Sequence, residues 1–358
     1  MASSPYASSL GRLRADAGAF LPREMYATLA QASSVDELAK QLAPTPYAYD
    51  LEAARAAYTG ISLVETALNR TLVRRNRHAF EATPFAGRLV VAAYLKRWDI
   101  ENITLILSSK AQNRPLSLGE TELVSSRDIP AGLFAGAMTL DDFRELLNQP
   151  TVDALVSQLV RFGYGGTLLP HVESFQRTHD IFPLTYALHV QYYQDVLEQA
   201  RFFQGDEWIV RQFLRSEIDL RNALVLLKGK DAGISVEEVL TRWLDGGGLV
   251  SGEVNDLYSA RTVPELVERL TPRFPALPEG NAAYQEGKSL SGFEVALQRE
   301  RAGNELHRLR SYPMSLGGIF TYLLLAELER ADLRRIAFGI LYGLPSEKIT
   351  PLLVSPRL

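Results

Sequence analysis

Five histidines, His78, His171, His179, His189 and His307, are the side chains best suited to bind a metal or carry a proton at neutral pH in this chain of 358 residues. Three of them fall in HVESFQRTHDIFPLTYALHV, which also supplies Glu173 and Asp180 as conceivable ligands. No two of these histidines stand at i, i+4, and no HExxH is present, so nothing holds two imidazoles on one helix face and no metal site is expected. With no cysteine in the chain, thiolate catalysis, disulfides and Cys-ligated zinc or iron–sulfur centres are excluded, which fits a reducing cytoplasm. KGKDAG, from Lys228, lacks the GxxxxGK[ST] pattern of a phosphate loop, Gly163-Tyr164-Gly165-Gly166 is not GxGxxG, and no GxSxG nucleophile elbow occurs. Carboxylates are plentiful, yet on helices they read as solvated faces and no acid/base pair stands out. The residue types point to a chain without catalytic residues and without a cofactor.

Charge excludes further classes. Lys plus Arg number 38 against 42 Asp plus Glu, a net charge of −4 that gives no overall attraction to nucleic acid or an anionic bilayer. Basic clusters occur at Arg74-Arg75-Asn76-Arg77-His78, at Arg299 and Arg301, at Arg308 and Arg310, and at Arg334-Arg335. Each reads as a helix surface paired with nearby acids such as Glu81, Glu300, Glu305 or Glu327, and secondarily as a patch for an acidic partner. The N-terminal MASSPYASSLGRLRADAGAF lacks the apolar segment of a secretory signal, and export is not expected. IFTYLLLA, from Ile319, is stopped by Glu327 and Glu329, far short of the roughly 20 apolar residues that span a bilayer.

The elements that must position these residues are nearly all helices. Hydrophobic residues make up 46% of the chain, enough for a substantial core, and recur at three- and four-residue spacing almost throughout. Breaks fall at Leu42 to Pro46, Asn113-Arg114-Pro115, Asp128-Ile129-Pro130, Gly246-Gly247-Gly248 and Pro272 to Gly280. DIENITLIL, from Asp99, returns as DLRNALVLL, from Asp219, and more weakly as ERADLRRIA, from Glu329, spacings of 120 and 110 residues. Each copy places an acid (Asp99, Asp219, Glu329) three residues before a second short polar residue (Asn102, Asn222, Asp332), follows a helix of similar character, and runs to a breaker at Asn113, Gly233 or Gly343. The third copy departs in having Asp332 for Asn and Ile340 where the second has Lys230.

A second phrase also occurs three times, as SVDEL from Ser34, TLDDF from Thr139 and TVPEL from Thr262. Each is a helix start with Ser or Thr as N-cap and an acid three residues on, at Glu37, Asp142 and Glu265. Together the phrases describe a tandem triplication, with three helical domains over 1–125, 126–245 and 246–358. A repeat of about 110 residues is too large for the usual solenoid classes.

On a helix, Leu95, Asp99, Asn102 and Ile106 share one stripe, so two polar side chains interrupt an apolar face. Left unpaired there, each would cost about 1–3 kcal/mol, so hydrogen bonding to a helix end, a loop amide or an Arg is expected. The reading is a structural clamp; the alternative is a surface shared with a partner. Three units so built could surround a pseudo-threefold axis or stack as an open curve.

The anchors YLKRWDIENITLILSSK (from Tyr94), FLRSEIDLRNALVLLKGKDAGIS (from Phe213), SLGGIFTYLLLAELERADLRRIAFGILYGLPSEKI (from Ser315) and YASSLGRLR (from Tyr6) resemble the C-subunit family of bacterial and archaeal V/A-type rotary ATPases, called the d subunit in the eukaryotic vacuolar enzyme. The resemblance covers the full length. It implies an all-α, pseudo-threefold funnel of three homologous domains, a non-catalytic component of the central stalk. Its implied partners are the D and F subunits of the central axle on one side and the membrane proteolipid ring on the other, and its place is cytoplasmic and peripheral to the membrane. Torque linking ATP turnover to ion (proton) transport would pass through it with no bond made or broken. The alternative reading of the residues is a free-standing helical scaffold that binds soluble proteins in a concave surface.

Overall fold

The computed structural model describes residues 5–15, 20–114, 121–124, 138–201 and 207–355, and among them every regular element is a helix. The break expected at Asp128-Ile129-Pro130 lies outside the described residues. In chain order the helices are α1 (Ala7–Ala15), α2 (Arg23–Leu29), α3 (Val35–Leu42), α4 (Ala48–Arg55), α5 (Gly60–Ala82), α6 (Phe85–Leu95), α7 (Arg97–Ala111), α8 (Leu140–Leu147), α9 (Val152–Leu159), α10 (Gly165–Thr178) and α11 (Phe182–Arg201). They continue as α12 (Glu207–Ala232), α13 (Val236–Leu240), α14 (Val254–Tyr258), α15 (Val263–Leu270), α16 (Asn281–Gly287), α17 (Ser291–Arg310), α18 (Leu316–Leu341) and α19 (Ser346–Ile349). None of the described helices is long and apolar enough to cross a membrane.

Local chemistry sets the ends of the repeated helices. The hydroxyls of Ser34, Thr139 and Thr262 accept from the backbone N–H of Glu37, Asp142 and Glu265 at 3.1, 3.2 and 3.3 Å, and the Asp142 carboxylate returns the bond to the Thr139 N–H at 2.8 Å. The apolar residue that closes each phrase, Leu38, Phe143 or Leu266, is fully buried. At the other end, Asn113, Gly233 and Gly343 all take the left-handed conformation, with φ of 53°, 67° and 68°. The next N–H folds back five residues in every case, Arg114 to Ser109, Ile234 to Gly229 and Leu344 to Gly339, so the same Schellman stop ends all three copies. The copies differ upstream. Helices α12 and α18 run unbroken for 26 residues, whereas the first copy is divided at Lys96 into α6 and α7.

The long helices pack in a closed order. Helix α5 meets α6, α6 and α7 meet α11, α11 meets α12, α12 meets α17, α17 meets α18, and α18 returns to α5. Two further apolar clusters join short helices to the ends of long ones. One joins Leu220, Ala223, Leu226 and Leu227 of α12 to the helices between Val239 and Leu297. Another joins Leu333, Ile336 and Ala337 of α18, with Ile349 and Leu353, to residues between Leu21 and Leu68. The N-terminal head of the molecule is therefore cored in part by its C-terminal helix.

Candidate functional site

The second polar position of the repeat works as a clamp. In the first copy, Asn102 donates from Nδ2 to the Val124 carbonyl at 2.9 Å and accepts from the Val124 N–H at 2.8 Å. Asn222 does the same to Leu244, at 2.8 and 2.9 Å. Each target lies 22 residues beyond its amide, and both amides are buried. Asp332 also reaches 22 residues on, but a carboxylate has no N–H to give. Its two oxygens accept instead from successive N–H groups, Val354 at 2.9 Å and Ser355 at 2.6 Å, and Arg335 balances its charge at 2.7 Å. The change from Asn to Asp in the third copy thus follows its target.

In the second and third copies the first polar position grips a loop. Asp219 Oδ1 accepts from the N–H groups of Gly248 and Leu249 at 2.6 and 2.7 Å. This explains the glycine triplet, because a Cβ on Gly247 would stand 2.3 Å from that same Oδ1. Glu329 is one methylene longer and gathers four donors: the Leu21 N–H at 2.7 Å, the hydroxyls of Tyr26 and Tyr47 at 3.2 and 2.8 Å, and Arg75 at 2.8 Å. Asp99, on the same stripe, is buried with Leu95, Asn102 and Ile106, and its charge bears on Tyr164.

Two residues before each acid, the copies carry Arg97, Glu217 and Glu327. These equivalent positions meet. Arg97 forms a two-pronged pair with Glu217, Nη2 to Oε1 at 2.7 Å and Nη1 to Oε2 at 3.1 Å, and stands 3.6 Å from Glu327. The Tyr94 hydroxyl bridges them, accepting from Arg97 at 2.6 Å and donating to Glu327 at 2.7 Å. Tyr193 and Arg301 complete the shell of Glu217 at 2.6 and 3.0 Å. Beneath the charges, one aromatic ring from each copy, Tyr94, Phe213 and Phe320, packs edge to face or tilted at 5.0 to 5.7 Å between centroids. Two residues after the acid, Glu101 and Arg221 pair at 3.3 Å beside His189.

Burial alone would push the Glu217 carboxyl up, but Arg97, Arg301 and Arg221 with the Tyr193 hydroxyl outweigh it and hold the group well below the usual carboxylate range. At Glu327 burial wins over Arg97, the more so beside Glu217, and the carboxyl is raised. Burial, then Arg221, pushes His189 down to about 4 against the opposing pull of Glu101. The arrangement is a neutralised internal junction that ties the copies together, and it offers no exposed nucleophile or acid/base pair.

Other residues nominated by the sequence lie apart from it. Glu173, His179 and Asp180 are exposed, and among the described residues no three His, Asp or Glu side chains stand close enough to share a metal. The basic clusters divide. Arg77 pairs with Glu81 and Arg308 with Glu305, within one helix as expected. Arg75, Arg301, Arg334 and Arg335 instead tie helices together, through Glu329, Glu217, Glu65 and Gln298 respectively.

The model of the ATP synthase (C/AC39) subunit family matches residues 10–352. The chain belongs to that family. Family membership makes it a structural component of a rotary ATP synthase complex and not a catalytic chain. It is similar to the C subunit of the A-type ATP synthase of Thermoplasma volcanium, 33% identical over 350 residues that cover 98% of both chains. It is equally similar to that of Thermoplasma acidophilum, 33% over 352 residues covering 98% of this chain and 99% of the relative. The corresponding A-type C subunit of Archaeoglobus fulgidus is 25% identical over 88% of this chain and 86% of its own length.

Proposed function

We propose that this family member is a non-catalytic coupling piece of the central stalk, seated between the D and F subunits of the axle and the membrane proteolipid ring, so that ATP turnover is linked to ion (proton) movement. In this reading it is a pseudo-threefold funnel of three domains, 1–125, 126–245 and 246–358, held at the cytoplasmic face of the membrane by the complex. The observation that carries the reading is the meeting of Arg97, Glu217 and Glu327, the same rung of three repeats, in one largely buried junction. A part that transmits torque must resist relative movement of its lobes, and a largely desolvated cluster of paired charges fixes register where apolar packing alone permits sliding. The Asp99/Asn102, Asp219/Asn222 and Glu329/Asp332 pairs serve as the internal clamps of such a body.

Membranes carrying the assembled complex test this directly. Removal of the chain should abolish ATP-driven proton pumping while the released soluble head still hydrolyses ATP, and adding the chain back should restore pumping. Pumping that survives its removal, or a chain that captures only soluble partners, would instead support the free-standing scaffold.

A further inference from the structure

Each repeated helix ends against a group of short helices, its head, with α7 against α8 and α9, α12 against α13 and α15, and α18 against α3; only the first two of these seams join segments that are neighbours along the chain. At the α12 seam the chain runs on from Asp219 to the loop it grips, and Leu249 stands 13 residues before the N-cap Thr262. At the α18 seam Glu329 grips Leu21, which stands 13 residues before the N-cap Ser34. The bond is the same and so is its register, yet its partners lie 308 positions apart and no chain links them locally. Side chains add to that backbone bond at the α18 seam. The Glu329–Arg75 pair has side chains 2% and 3% exposed, and both tyrosine hydroxyls are added to the backbone bond. A cleft of about 330 Å³, lined by Phe20, Arg23, Tyr26, Arg310 and Glu329 among others, opens onto this network.

We infer that the α18 seam is the gate at which the helix ring opens, and that Glu329 is the positioning residue that latches it. At the bridged seams a parted helix and head stay tied by a connection of about 30 residues and reclose locally, because a short connection costs less chain entropy to close than a long one. At the α18 seam the parted edges are joined only through the rest of the ring. The inference rests on the coupling role in one respect: the heads turn as one body only while this seam is shut.

Hydrogen exchange of the full chain, alone in solution, tests the latch. Glu329→Gln keeps an acceptor for the Leu21 N–H but strips the charge that faces Arg75. Exchange is expected to quicken at least about tenfold over 21–55 and 333–354, with 139–168 and 249–297 left within about twofold of the parent. Tyr26→Phe, which removes one donor and no charge, should give a smaller rise in the same two segments if the first variant fails to fold. The natural chain has no cysteine, so Arg23→Cys with Arg310→Cys can be joined by a bifunctional maleimide across the cleft. That staple should restore slow exchange to the Glu329→Gln protein. An even rise over all heads, no rise, or a staple without effect would overturn the gate. These readouts need no other component of the complex, so their failure is distinct from a failure of the coupling role.

Discussion

Arg97 and Glu217, 120 positions apart and on the same rung of successive repeats, meet as a largely buried two-pronged ion pair. The junction they form with Glu327 contains two carboxylates in opposite states of ease, and this contrast can be tested.

Glu217→Gln should destabilise the protein by about 3–5 kcal/mol, because it leaves Arg97 and Arg301 buried with one counter-charge fewer. Glu327→Gln should fall within about 1 kcal/mol of the parent or above it at neutral pH, since Gln still accepts from Tyr94 and resembles the protonated state that burial favours. The stability Glu327 lends as an acid is present below the unfolded carboxyl value and lost as pH rises through its raised folded value, so its charged form is the costly one. Urea midpoints of the two variants at pH 7 separate the cases.

His189 should make the fold acid-sensitive. The unfolded chain takes up its proton near pH 6.5 and the folded chain refuses it until about pH 4, held down by burial and Arg221. Its contribution is complete above the unfolded value and drains away as pH falls through that window, by up to about 3 kcal/mol. Replacement by Gln should flatten this part of the stability profile, read from denaturation midpoints between pH 7 and 4.

Exchanging the clamp residues should harm both sites. Asn222→Asp would set a carboxylate oxygen against the Leu244 carbonyl, and Asp332→Asn would turn an amide N–H₂ toward a backbone N–H of Val354 or Ser355. Each should cost about 1–3 kcal/mol, whereas equivalent and freely exchangeable sites would leave melting temperatures unmoved.

Gly247→Ala should cost about 1–3 kcal/mol through the encounter of its Cβ with Asp219 Oδ1, and the loss should shrink when Asp219→Ala is already present. A double-mutant cycle by thermal denaturation measures that coupling.

What the sequence made legible was local. The caps at Ser34, Thr139 and Thr262 and the stops at Asn113, Gly233 and Gly343 depend on neighbours three to five residues away, and their spacing alone announces them. The buried stripe of Asp99 and Asn102 follows from helical periodicity. The partners were not legible. Arg75 sits in a run of basic residues that resembles a solvated surface, and only the fold brings Glu329 to it from 254 positions away. The Arg97, Glu217 and Glu327 junction did leave a signal: once the repeats are aligned on their acids, opposite charges occupy one column. Buried equivalents related by internal repetition can meet at a common centre, and complementary charge in such a column is the mark to look for.

In the three-domain arrangement proposed above, the closure of Glu329 on Leu21 would also fix how many copies the chain can hold. In a solenoid a further repeat lengthens the stack, and each end needs only a polar cover. Here Glu329 must find Leu21, so a fourth copy would change the rotation between neighbours and a missing one would strand the terminal carboxylate. On the proposed three-domain reading, the count of three would be set as it is in a cyclic trimer, by the turn that brings the last protomer back to the first, with all three protomers written into a single polypeptide.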